Sequence, residues 1–87
     1  TLNDLIEKNK LDEIDLIKLD CEGSEYPILY STTMENLMKI KMMSIETHLG
    51  DQDQNNHHAL VDFLKNSGFT LEHEVSKEDS GYIWAWR

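Results

Sequence analysis

The chain has 87 residues, a formal net charge of −9 and a pI near 4.6. It therefore makes one domain at most and repels nucleic-acid phosphates and anionic lipid, so neither nucleic acid nor a membrane is an expected partner. No apolar run approaches the ~18 residues that span a bilayer, and no signal-peptide pattern precedes Leu2. Cys21 is the lone cysteine, which excludes an internal disulfide and a zinc–thiolate cluster. It points to a reducing, cytoplasmic compartment and reads as a small buried hydrophobe. With Thr1 where an initiator Met would stand, residues 1–87 are read as a single segment excised from a longer chain.

Thr1-x-x-Asp4 forms a helix-capping box, and Leu2, Leu5 and Ile6 share one face of a short helix ending near Asn9. Asp15 to Asp20 is a strand whose nearly continuous apolar run suits a parallel sheet. Gly23 turns the chain, Ser24 is an expected N-cap, and Pro27 fits the first turn of the next helix. Thr32-x-x-Glu35 reads as a second capping box, opening a helix with Leu37, Met38 and Ile40. Met42 to Ile45 is a second strand, with both methionines as core filler, and it runs into Glu46 and His48.

A polar loop from Gly50 to Asn56 precedes a helix marked by Leu60, Phe63 and Leu64 and stopped at Gly68. His57 and His58 are read as solvated residues of its first turn. Phe69, Leu71, His73 and Val75 then alternate with Thr70, Glu72 and Glu74, the pattern of an edge strand. Gly81 to Arg87 is a last strand, with Tyr82, Trp84 and Trp86 expected to face the core. The roughly twenty residues between the first two strands allow a parallel crossover, and the short final turn requires an antiparallel pair. The expected fold is α/β: a partial Rossmann-like sheet, parallel strands finished by an antiparallel hairpin, with helices on both faces.

The run Asp15-Leu-Ile-Lys-Leu-Asp-Cys-Glu-Gly-Ser-Glu25 resembles the signature of the FkbM-type, class I S-adenosylmethionine-dependent methyltransferases. Glu46-x-His48 and Leu60-x-x-Phe-Leu-x-x-x-Gly-Phe69 resemble later family elements. The resemblance implies methylation of a hydroxyl on a small molecule, glycan or natural product, with S-adenosylmethionine as cofactor. It also implies that Asp20 faces the cofactor and that Glu22 and Glu25 belong to an acidic signature. The family's Gly-rich cofactor loop is missing, since Gly23, Gly50, Gly68 and Gly81 stand far apart. The segment is thus expected to be the C-terminal half of such a domain, inactive alone.

From the residues themselves, Asp20 and Glu22 project to one side of an extended segment, and Glu25, Glu46 and His48 follow at the same sheet edge. Asp20, Glu46 and His48 are the catalytic candidates, with His48 as base and Glu22 and Glu25 contacting the acceptor. A divalent metal held by Asp20, Glu22, Glu46 and His48, with Asp51 or Asp53, is a less favoured reading. Two other classes stay open: an interaction module self-associating through an exposed sheet edge, and a metal-dependent phosphoryl-transfer enzyme.

Overall fold

The computed structural model describes residues 1–20, 25–48, 55–75 and 80–87. The readings placed on Cys21, Glu22, Gly23, Ser24, Asp51 and Asp53 lie outside the described residues. Helix α1 (Leu2–Lys8) is closed by the expected reciprocal capping box between Thr1 and Asp4. Ile6 is its buried anchor, whereas Leu5 is 55% exposed and does not join Ile6 inside. Asn3 ties this helix to residues 31–36: its amide donates to the Ser31 carbonyl at 2.8 Å and accepts from the buried Asn36 amide at 2.8 Å.

Strand β1 (Ile17–Leu19) is shorter than the predicted Asp15–Asp20, though an isolated parallel bridge joins Ile14 to Ile40 just before it. Helices α2 (Glu25–Tyr30) and α3 (Met34–Leu37) fill the crossover, with Pro27 in the first turn of α2. The cap of α3 is Thr33, not Thr32: the Thr33 hydroxyl accepts from the Asn36 amide, while Thr32 donates to the Ile28 carbonyl at 2.7 Å and finishes α2. Strand β2 (Met42–Thr47) pairs in parallel with β1, Ile17 opposite Met43 and Leu19 opposite Ile45.

Helix α4 (His57–Asn66), capped by Asn56, ends at Ser67, and Gly68 takes the left-handed conformation (φ 93°) that lets the chain reverse. Strands β3 (Thr70–Val75) and β4 (Gly81–Trp86) form the antiparallel hairpin, and β4 inserts between β2 and β3 in the order β1-β2-β4-β3. The mixed α/β sheet is as expected, and β3 is an edge. Arg87 pins the corner: its guanidinium donates to the Ser67 carbonyl at 2.9 Å and lies 4.1 Å over the Phe69 ring.

One core cluster joins Tyr26, Leu29 and Leu37 to Met43, Ile45, Leu60, Leu64, Ile83 and Ala85. Its strand members alternate, so they occupy a single face of the sheet. The opposite face carries Met42, Ser44 and Glu46 on β2 and Tyr82, Trp84 and Trp86 on β4, each exposed or half-exposed. Two expectations are corrected by that parity. Tyr82, Trp84 and Trp86 do not face the core, because the smaller Ile83 and Ala85 fit beneath α4. Met42 is 36% exposed while Met43 is fully buried. Helices α2, α3 and α4 pack on the face of Met43 and Ile45 through the core cluster. Beside it, Leu2, Leu5, Ile14, Leu16 and Ile17 line an apolar groove of about 660 Å³ along the β1 edge.

Candidate functional site

Two parallel strands end side by side, and their carboxyl ends carry the titratable groups. Continuing the β1–β2 register sets Asp20 level with Glu46. His48 follows two positions along, on the same side as Glu46. One ligand atom from each of Asp20, Glu46 and His48 falls within 4.8 Å of the others. The His48 Nε2 stands 3.9 Å from Asp20 Oδ1, with the imidazole 26% and the carboxylate 67% exposed. That separation exceeds a hydrogen bond. It becomes an ion pair when the imidazole is protonated. A cavity of about 420 Å³ opens beside Glu46, lined also by Glu74, Gly81 and Tyr82.

Of the remaining predicted site residues, Glu22 lies outside the described residues, and Glu25 is known only as the backbone opening of α2. Among the described residues, only Asp20, Glu46 and His48 form a group of three that can hold a divalent ion. Two carboxylates and an imidazole suit magnesium, manganese or a similar borderline cation.

The sequence reading missed how this strand end is held. Tyr26, fully buried, donates its hydroxyl to the His48 backbone carbonyl and clamps the strand from α2. Thr47, between Glu46 and His48, points to the covered face and is fully buried. Its hydroxyl lies 2.8 Å from His57 Nδ1, and His57 Nε2 lies 2.9 Å from His73 Nδ1. His57 is therefore not the solvated residue expected: it is 8% exposed, because Asn56 starts α4 with that ring turned over the sheet. Burial, with His73 and His58 adding like charge, pushes its pKa down to about 4. Gly81, paired with Thr47, makes room for the ring. A Cβ there would meet His57 Nδ1 and the Glu74 carbonyl oxygen, each at 2.6 Å. Strand parity was the signal in the sequence: Thr47 shares the face of Met43 and Ile45.

Neither described glycine cradles a cofactor. Gly68 ends a helix, and the space over Gly81 is taken by His57. The described residues thus include strand-end carboxylates and an imidazole, but no glycine turn on which a cofactor's carboxylate or ribose could rest.

Acids and an imidazole gathered at the carboxyl ends of parallel strands place the chain in the class of open α/β proteins, whose ligands as a rule bind at strand ends. Residues 1–71 match the model of the methyltransferase FkbM domain, and the chain belongs to that methyltransferase family. No characterised protein and no solved structure matches the chain significantly. Among the described residues, no helix is long and apolar enough to cross a membrane.

Proposed function

We propose that this chain supplies the acceptor side of an S-adenosylmethionine-dependent O-methyltransferase, as the C-terminal half of a class I domain. The observation that carries the reading is the convergence of Asp20, Glu46 and His48 at two parallel strand ends in a chain of this family. The cofactor, when bound, offers an electrophilic methyl group on a sulfonium. The acceptor-side tasks fall to this chain. Glu46, with Glu22, orients the acceptor, and the single hydrogen of the reacting hydroxyl is donated to His48 Nε2. As the acceptor oxygen takes the methyl, its proton passes to His48 Nε2. Asp20, 3.9 Å away, then faces an imidazolium and stabilises it.

The acceptor is a small molecule or glycan bearing a hydroxyl. The test is methyl transfer from labelled S-adenosylmethionine by the full-length enzyme to a panel of such acceptors. Asp20→Asn and His48→Ala are each expected to lower kcat by 100-fold or more, the usual contribution of a positioned acid or base being about 10²–10⁴. Near-normal turnover in both sinks the assignment. Titration calorimetry on residues 1–87 alone is expected to show no tight S-adenosylmethionine binding; micromolar affinity would refute the half-domain reading.

A second reading is favoured by the 4.8 Å grouping of the ligand atoms: a divalent ion on Asp20, Glu46 and His48 that lowers the acceptor hydroxyl's pKa. Under this reading chelation abolishes turnover and magnesium or manganese restores it. Turnover indifferent to chelator excludes it.

A further inference from the structure

The line from Thr47 through His57 to His73 crosses three elements, β2, α4 and β3, behind the proposed site. We infer that this line is a positioning device for the site, setting where Glu46 and His48 stand and tying that placement to the proton occupancy of two imidazoles. The inference rests on the reading of Glu46 and His48 as site residues. Thr47 is the residue between them, so the hydrogen bond that anchors its buried side chain also anchors the backbone that carries both.

Proton counting gives the line its character. Between two ring nitrogens 2.9 Å apart there is room for one hydrogen. In one arrangement the Thr47 hydroxyl donates to His57 Nδ1 and His57 Nε2–H donates to His73 Nδ1. In the other, His73 Nδ1–H donates to His57 Nε2 and His57 Nδ1–H donates to the Thr47 oxygen. Once exposed His73 carries a proton on each nitrogen, only the second arrangement survives. Its protonation therefore turns Thr47 from donor to acceptor. A proton on both imidazoles sets N–H against N–H and breaks the line.

The surroundings keep His57 neutral. His58 on its own helix and His73 on β3 are the titratable groups facing it. From β2 and β4 come uncharged Thr47 and Gly81. No described carboxylate adds to the causes that set its pKa, and burial leads them. Gly81 and the Asn56 cap hold the ring where a larger residue or a frayed helix end would displace it. This is a built arrangement.

The test is long-range ¹H–¹⁵N NMR of the imidazoles and the pH course of the Glu46 and His48 amide signals, on the full-length protein. In the wild type, His57 is expected to stay neutral at pH 5.5, and the two amides to shift with acid beyond the change their own side chains cause. Thr47→Ser keeps both signatures. Thr47→Val, matched in shape and lacking the hydroxyl, leaves the Glu46 and His48 amides following only their own side chains, and His73→Asn, at an exposed position, does the same. A purely packing role for Thr47 would leave those titration curves unchanged. The proposal is overturned if Thr47→Val titrates like the wild type, or if His57 titrates near 6.5 in the wild type. Neither readout requires turnover, so failure here is distinct from failure of the methyltransferase reading, which the Asp20 and His48 variants decide.

Discussion

Three consecutive residues at the end of β2 divide between two environments. Glu46 and His48 stand on the open side with Asp20, while Thr47 between them is fully buried and hydrogen-bonded to His57. The first group keeps exposed carboxylates, whose charge costs little because water solvates it. The second holds uncharged partners in a tight line, because an unpaired polar group there would bear its full desolvation cost. Alternation along one strand thus separates reactive groups from the groups that hold them.

Substitutions on the two sides sharpen this contrast. The largest effect belongs to the covered side: Ile45→Ala removes a fully buried side chain from the core and is expected to cost about 2–5 kcal/mol in chemical denaturation. Gly81→Ala drives a methyl into the His57 ring and the Glu74 carbonyl oxygen and should cost about 1–3 kcal/mol. An unchanged midpoint there would mean that His57 yields its place freely.

A pH effect comes next. The folded pKa of His57 is lowered from 6.5 to about 4, so between those values the unfolded chain binds more protons than the folded one. The stability it contributes is present above pH 6.5 and is lost as pH falls toward 4. Thermal melts of His57→Gln should show a shallower fall between pH 6.5 and 5 than the wild type; parallel curves would contradict the buried neutral imidazole. The smallest stability effect is on the open side. Glu46→Gln, at an exposed position, is expected to stay within about 0.5 kcal/mol of the wild type, while turnover of the full-length enzyme drops. A strongly destabilised Glu46→Gln would erase the division between the two sides.

Much of the fold was legible from local signals. The Thr1–Asp4 box, the Gly68 stop and the Leu60–Leu64 stripe each act within a few residues, and each stands as read. The signature around Asp20 carried the family, which the match over residues 1–71 establishes. Facing was less legible. Tyr82, Trp84 and Trp86 alternate as regularly as Ile83 and Ala85, and alternation identifies a strand without saying which side meets α4. Hydrophobicity favoured the aromatic stripe, and packing volume beneath the helix favoured the smaller residues. His57 failed for a related reason: its first-turn position suits solvent, and only the approach of β2, β3 and β4 makes it buried.

The sequence by itself determined the element order, the parallel-then-antiparallel pairing and the acidic strand end at Asp20, because capping, periodicity and loop length act over short chain distances. Only the tertiary structure decided which side of the sheet is covered and how closely Asp20, Glu46 and His48, already expected at one sheet edge, gather: within 4.8 Å. It alone joined Thr47 to His57 and His73 behind them. Such contacts join residues up to 28 positions apart, as Asp20 and His48 are. They depend on register and on the volume left between packed layers, and no local pattern encodes either.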